Sequence, residues 1–162
     1  MKTFLAQVIG IKVIAYLESG REVELSTYSA DTRNDNIKFN YDEVEKEHGK
    51  VLCIRTQRVY NTKSGKLEPG CLFWVDWYPK NLYWDNQDGP YLFAMLPNHN
   101  HWNIDGRASN CDMPDERLHR CWCRHGEVPE ITVDKVGHTC NAGAGSIQSG
   151  DYHGFLINGE FT

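Results

Sequence analysis

Short runs of apolar and β-branched residues, separated by turn-forming residues, characterise the first half of the chain. The runs at residues 6–17, 51–60 and 71–78 are bounded by positions rich in Gly, Ser, Asn and Pro. Such runs are typical of β-strands, because β-branched and aromatic side chains suit a pleated surface and turn residues interrupt it. We therefore predict three strands in this half.

One segment of the first half has the pattern of a helix instead. Asn40 is followed three residues later by Glu43, and Gly49 comes after the last helix-compatible residue. An amide side chain at the N-cap, a Glu at the third helical position and a Gly beyond the end are helix start and stop signals. Val44 is almost the only apolar side chain between them, so the helix should lie on the surface.

The second half combines strand patterns with long polar segments. Residues 91–96 and 119–125 predict two strands, and residues 155–157 and 160–162 flank Asn158-Gly159. This dipeptide tolerates the positive φ angles of a type I′ turn, which predicts a terminal β-hairpin. Residues 97–114 and 139–150 are rich in Asn, Gly, Asp and Ser. Irregular segments of this length usually carry function or need fastening.

These elements predict a β-rich (α+β) fold of small antiparallel sheets, with one short helix near residues 41–48 and long loops that zinc could fasten. A length of 162 residues suits a single domain spanning residues 1–162. A subdivision into an N-terminal β module (residues 1–70) and a Cys/His-rich module (residues 71–162) is the alternative.

The distribution of charge and of apolar residues indicates which partners and which cellular location to expect. Residues 81–162 hold 5 Lys/Arg against 11 Asp/Glu, whereas residues 1–80 hold 12 against 11. An acidic half repels phosphate backbones, so we expect no nucleic-acid partner. No apolar stretch reaches the ~18–20 residues of a membrane span, and Gln7 and Lys12 interrupt the apolar start. We expect a cytoplasmic protein whose six cysteines are free thiols or metal ligands.

Histidine and cysteine alternate with Arg and Trp through residues 119–125, HRCWCRH. In an extended strand these potential ligands share one face, and thiolate with imidazole is a ligand set that Zn²⁺ prefers. Four ligands from one strand would span too far, so loop residues must contribute. The zinc ligands that we favour are Cys111, Cys121, Cys140 and His153. Alternatively, Cys121 and Cys123 are small buried side chains.

The loop at residues 99–111 brings two His, an acid, a guanidinium and a thiol within thirteen residues. A thiol and a histidine oriented by a carboxylate could form a nucleophile–base pair. The catalytic candidates are therefore Asp105, Cys111 and His153. Alternatively, Asp105 and Arg107 form a buried ion pair that shapes the loop, while His101 or Cys111 binds metal.

The segment at residues 140–154 is rich in Gly, Ala and Ser. Small residues allow backbone N–H groups to approach a ligand closely, as in anion-binding nests, although the Lys-Ser/Thr ending of a P-loop is absent. Here and in the preceding loop, the cofactor-binding candidates are Arg107, Ser146 and Tyr152. The alternative is a tight turn packed under the terminal hairpin.

Several strings of the second half carry a family resemblance: HWNIDGRASNC (residues 101–111), HRCW (119–122), AGAGSI (142–147) and YHGFL (152–156). Over roughly residues 84–162 the chain resembles a family of small uncharacterised phage and bacterial proteins. Some members are labelled ammonia monooxygenases, but this sequence has neither the membrane segments nor the copper cluster of that activity. The resemblance implies a phage context.

A zinc-associated bacterial family of unknown function is distantly similar. Its members bind zinc through a C-x-C pair with a later Cys and His. Of that set only His153 has a counterpart here, and Gly150 or Asp151 stands where the late Cys would be.

We expect from these features a zinc-stabilised intracellular binding or interaction protein, phage-encoded and acting on a host system in the host cytoplasm. Its partner would be an unidentified protein or small molecule. One alternative is a small zinc- or thiol-dependent hydrolase, and another is a small-molecule or nucleotide binder that uses the Gly-rich loop. Whether the protein is an enzyme is left open by the sequence.

Overall fold

A computed structural model describes residues 1–29, 39–75, 90–108, 110–113, 120–142 and 145–162. It confirms a β-rich architecture of small, mainly antiparallel sheets with one short helix and long loops. The elements in chain order are β1 (Phe4–Leu5), β2 (Val8–Leu17), β3 (Glu22–Ser29), α1 (Tyr41–His48), β4 (Val51–Tyr60), β5 (Cys71–Val75), β6 (Tyr91–Met95), β7 (His101–Asn103), β8 (Cys123–His125), β9 (Thr132–Asp134), β10 (Ile147–Ser149), β11 (Tyr152–Gly154), β12 (Leu156–Ile157) and β13 (Glu160–Phe161).

Contacts within the chain define two compact units. Unit 1 comprises Met1–Ala6 and Leu67–Thr162, and unit 2 comprises Gln7–Lys66. Strand β1 pairs in parallel with β5, although the residues of unit 2 separate these two strands in the sequence. The first six residues therefore belong with the second half of the chain.

Unit 2 is an antiparallel sheet in the order β3-β2-β4. The predicted strand at residues 51–60 is observed with those bounds as β4, and the run at residues 6–17 contains β2. Ile11 and Val13 of β2 form a small core with partly buried Leu25, Tyr28 and Ile54. Strand β3 escaped prediction because its polar-rich sequence buries no side chain fully.

Helix α1 follows the predicted caps. The Asn40 Oδ1 accepts hydrogen bonds from the backbone N–H groups of Asp42 and Glu43 at 3.0 and 3.4 Å, and Gly49 ends the helix with a φ of 100°. No residue of α1 is buried, as its polar sequence predicts. Within the described part of the chain, no helix is long and apolar enough to cross a membrane.

Unit 1 contains two four-stranded sheets, β1-β5-β6-β7 and β13-β12-β9-β8, and the β10-β11 hairpin. One buried apolar cluster joins residues from all three, including Leu72, Leu92, Val133, Ile147 and Leu156. The N-terminal segment ties the two four-stranded sheets together: β1 pairs with β5, and Lys2 forms a bridge with Glu160.

The predicted terminal hairpin is confirmed as β12 and β13. Asn158 and Gly159 have φ angles of 47° and 74°, which are those of a type I′ turn. Buried Thr3 holds this turn: its Oγ1 donates to the carbonyl oxygens of Pro129 and Gly159, both at 2.8 Å. A local turn signal and a contact far along the sequence therefore fix the same hairpin.

Two predictions for the second half were wrong in extent. Of the strand expected over residues 119–125, the described residues 120–125 form only β8, and residues 121–122 form a bend because Cys121 packs into a buried cluster. The segments expected to be irregular contain β7 and β10. Their bounds were missed because each is only three residues long, too short for a clear alternation.

Candidate metal centre

Three of the cysteines converge on one point of unit 1. The Sγ atoms of Cys111, Cys121 and Cys140 all lie within 4.8 Å of one another, and those of Cys121 and Cys140 are 3.6 Å apart. None of the three forms a disulfide bond. We call this group the cysteine cluster.

Three separate segments supply these thiols, and local hydrogen bonds position each of them. A turn places Cys111, whose N–H donates to the Ala108 carbonyl at 3.2 Å. Cys121 precedes β8, and the Arg120 N–H donates to the His138 carbonyl at 3.0 Å, which joins its segment to the one that carries Cys140. The Asn141 N–H donates to the Asp112 carboxylate at 3.2 Å. Each of these segments is thus bonded to another.

The cluster is largely shielded from solvent. Cys121 and Cys140 are buried, and Cys111 is half-buried. Ala142 is buried with them, and the side chains packed around this small core are Ala108, Met113 and Trp122. A water-poor pocket of thiols strengthens any electrostatic interaction with a bound cation.

Two basic side chains lie beside the sulfur atoms. The Arg107 Nη1 is 3.4 Å from the Cys111 Sγ, and the Lys135 Nζ is 3.9 Å from the Cys140 Sγ. The Lys135 Nζ also donates to the Cys121 carbonyl. The role of Lys135 had no signal in the sequence, since no motif includes it.

Burial is the main cause of the pKa shift of Cys121. Burial, together with hydrogen bonds to Cys111 and Cys140, raises the pKa of Cys121 to about 12. In the metal-free protein this thiol therefore stays protonated at neutral pH. Such a buried thiol is a poor nucleophile, but a metal ion that replaces its proton would make it a ligand.

The fourth predicted ligand, His153, is not part of the cluster. Its Nε2 is 3.0 Å from the Ser146 Oγ on the β10-β11 hairpin. Among the described residues the group that could hold a metal ion consists of the three cysteines. Cys123 also lies elsewhere, since its Sγ packs against Gly137. The expectation that Cys121 and Cys123 share a strand face was wrong for this reason. His119 falls outside the described residues.

The catalytic candidate Asp105 contacts two arginines and a backbone N–H group. The Asp105 side chain is 2% exposed, and its Oδ1 pairs with the Arg120 Nη1 at 3.2 Å and the Arg124 Nε at 3.0 Å. Its Oδ2 accepts from the Leu92 N–H at 2.8 Å. The carboxylate therefore fixes the loop to two arginines and a strand.

The predicted pairing of Asp105 with Arg107 is corrected in the same way. The Arg107 guanidinium donates to the Met113 carbonyl at 2.8 Å and reaches the cysteine cluster. Asp105 and Arg107, which flank Gly106, therefore contact different partners.

The other cofactor-binding candidates have structural partners. The Tyr152 hydroxyl donates to the Thr162 carbonyl at 3.0 Å, and its ring packs edge-on against Phe161. The Ser146 Oγ forms a hydrogen bond with the His153 Nε2 at 3.0 Å. Residues 143 and 144 of the Gly-rich segment lie outside the described residues, and the segment continues directly into the β10-β11 hairpin.

Comparison with protein-family models, curated protein sequences and solved structures found no significant match. The function of this protein is therefore inferred from the geometry of the chain itself. The resemblance to phage and bacterial proteins stays a prediction.

Proposed function

We propose that this protein is a zinc-stabilised binding protein in which Cys111, Cys121 and Cys140 hold the ion. One observation carries the proposal: three thiols from three separate loop segments have their sulfur atoms within 4.8 Å of one another. Thiolate sulfur is the ligand of structural zinc sites, and three thiolates with one further ligand is a common set.

The spacing of the sulfur atoms suits this ion. Tetrahedral zinc with Zn–S bonds of about 2.3 Å separates its sulfur ligands by roughly 3.8 Å. The Cys121–Cys140 separation of 3.6 Å is close to that value, and the remaining separations need only a small contraction. Three thiolates around a divalent ion leave a net negative charge, which the neighbouring Arg107 and Lys135 would offset.

Zinc would stabilise a part of the molecule that has little regular structure. The segments that carry the cysteines are joined mainly by isolated hydrogen bonds and a small apolar core. Because such a site exists only in the folded state, the free energy of metal binding becomes folding free energy. The ion would thereby fix the loops that are available for recognition.

We propose further that the protein is cytoplasmic and phage-encoded. Thiolate ligands persist in a reducing compartment, which supports a cytoplasmic location, and the family resemblance supports a phage-encoded protein in a host cytoplasm. The partner would be a host protein or a small molecule.

A zinc-dependent hydrolase is the second candidate, and the uneven burial of the ligands favours it. Cys111 is half-buried while the other two are buried, so an ion held by them would be approached from the Cys111 side. A catalytic zinc keeps a position for water, whereas a structural zinc is closed by four protein ligands. The coordination number distinguishes the two roles.

Metal analysis of protein purified without a histidine tag tests the proposal. We expect about one zinc per chain, and Cys121→Ser and Cys140→Ser should each lose most of it. Cys123→Ser is the matched control, because its sulfur lies two residues from Cys121 but against Gly137. X-ray absorption at the zinc edge would count the sulfur and water ligands. Far less than half an equivalent of zinc in the unmodified protein would overturn the proposal.

A further inference from the structure

The sulfur atoms of the cysteine cluster are close enough to react with one another as well as to hold an ion. All three Sγ atoms lie within 4.8 Å of one another, whereas a disulfide bond is about 2.05 Å long. Two of them therefore need an approach of less than about 3 Å to form a covalent bond. The fold has already brought together segments that are far apart in sequence, so most of the ordering that a disulfide requires is present in the reduced protein.

Solvent reaches one side of the cysteine cluster. Cys121 is 0% exposed and Cys140 is 5% exposed, whereas Cys111 is half-buried. A dissolved oxidant therefore meets the Cys111 side first. Oxidation of a thiol depends on its access to solvent, and an accessible thiol beside a second thiol is the arrangement of redox-sensing cysteines.

The residues that follow Cys111 and Cys140 hold these two thiols side by side. The Asn141 N–H donates to the Asp112 carboxylate at 3.2 Å, so a hydrogen bond joins the two segments one position away from each cysteine. Both cysteines lie outside the strands and the helix. Their backbone can therefore adjust to the specific geometry of a disulfide without breaking a ladder of hydrogen bonds. For this reason we assign Cys140 as the partner of Cys111.

We propose that the cysteine cluster is a peroxide-responsive site, in which Cys111 reacts with hydrogen peroxide and then forms a disulfide bond with Cys140. The disulfide does not require a bound metal. Its consequence for zinc, by contrast, rests on the proposed function.

The reaction balances in two steps. In the first step the Cys111 sulfur attacks one oxygen of hydrogen peroxide, the O–O bond breaks, and the departing hydroxide takes the thiol proton and leaves as water. Cys111 is then a sulfenic acid. In the second step the Cys140 sulfur attacks the Cys111 sulfur, the S–O bond breaks, and a second water forms from the hydroxide and the Cys140 proton. Two thiols are thereby oxidised to one disulfide, and one peroxide is reduced to two waters.

The disulfide would change what the cysteine cluster can hold. Metal ions bind the thiolate form of cysteine, and the oxidised cluster keeps only Cys121 as a thiol. Zinc bound as proposed would be released, and a thiol reductant would restore the site. Disulfides in a reducing cytosol are usually transient and redox-sensing. The ion would therefore fix the surrounding loops only while the compartment stays reducing.

Peroxide treatment of the metal-free full chain, followed by alkylation and peptide mass spectrometry, tests the proposal. Trypsin should release Cys111 in residues 108–117 and Cys140 in residues 136–162, each as the one cysteine of its peptide. We expect these two peptides to be joined by a bond that dithiothreitol reverses. Cys53 is the internal control, because it is half-buried like Cys111 but belongs to unit 2. It should stay alkylatable.

Two serine variants test the order of events. Cys111→Ser should slow the peroxide-dependent loss of the Cys140 thiol by roughly tenfold or more, because the accessible sulfur is gone. Cys123→Ser is the matched control and should form the same bond at the unchanged rate, since its sulfur packs against Gly137. Circular dichroism spectra like that of the unmodified protein would show that both variants are folded. A disulfide that lacks Cys111, or oxidation of Cys111 no faster than that of Cys53, would overturn the proposal.

The same treatment of zinc-loaded protein distinguishes this proposal from the metal proposal. Release of one zinc for each disulfide formed, followed with a chromogenic chelator, would support both. Disulfide formation in a protein that binds no zinc would support the redox site and overturn the metal proposal alone. Zinc binding by a protein whose Cys111 forms no disulfide, with or without the ion, would refute the redox site and leave the metal proposal standing.

Discussion

Replacing Asp105 by asparagine removes a charge from the most buried ion-pair group described in the chain. Its side chain is 2% exposed and accepts from Arg120, Arg124 and the Leu92 N–H. Asparagine keeps one acceptor oxygen and turns the other into an NH₂ donor. At least one of those donors would then face another donor.

The cost follows from these contacts. Breaking a buried ion pair by removing one partner costs about 3–5 kcal/mol. The two arginines are 31% and 25% exposed, so both can recover some hydration. We therefore expect a loss of about 3 kcal/mol in the free energy of unfolding of unit 1, or a Tm lower by roughly 12–24 °C.

Asp134→Asn is the matched control. Asp134 also pairs with a basic side chain, the His125 Nε2 at 2.7 Å, but its side chain is 36% exposed. Exposed ion pairs are worth about 1 kcal/mol or less. Urea unfolding followed by tryptophan fluorescence measures both variants, because all five tryptophans fall within the residue range of unit 1. Equal shifts of the two midpoints would refute the assignment of Asp105 as a buried structural anchor.

Three further predictions test other contacts. Stripping the metal with a strong chelator should raise hydrogen exchange around residues 108–113, 120–125 and 138–142 while unit 2 is unaffected; equal protection with and without metal would contradict a stabilising ion. The pKa of Cys121 is raised by burial from 9.0 to about 12, so the metal-free protein is fully stabilised by its neutral thiol below pH 9 and should lose that stability as the pH rises towards 12. Cys121→Ala should flatten this alkaline decline, measured by urea midpoints from pH 8 to 11, and a decline of the same size would exclude Cys121 as its source. Thr3→Val removes the hydroxyl donated to Pro129 and Gly159 and should destabilise unit 1 by about 1–3 kcal/mol, whereas Thr27→Val, at an exposed pair with Glu24, should have little effect on thermal unfolding.

Local conformation could be predicted from the sequence wherever a few neighbouring residues determine it. The caps of α1, the bounds of β4 and the type I′ turn at Asn158 and Gly159 were all predicted, because each depends on side chains within a few positions. The length of the strand predicted at residues 119–125 was too great because a contact far along the sequence determines where it begins. Its alternating pattern is correct for a strand, but burial of Cys121 among other sulfur atoms bends the chain before β8.

The sequence also identified the residue types of the candidate sites without their pairing. It singled out Cys111, Cys121 and Cys140, yet added His153, which the fold places beside Ser146. It paired Asp105 with its neighbour Arg107, whereas the observed ion pairs of Asp105 are with residues 15 and 19 positions away.

The sequence by itself determined that this protein is β-rich, where its helix and terminal hairpin lie, and that its chemistry concentrates in a Cys/His-rich half. Those properties follow from side-chain shape, turn propensity and composition, which act over a few residues. Tertiary structure alone decided that Met1–Ala6 joins the second half of the chain and which thiols meet. Such contacts join residues far apart in sequence, and they form because burying the apolar surface of unit 1 brings those segments together.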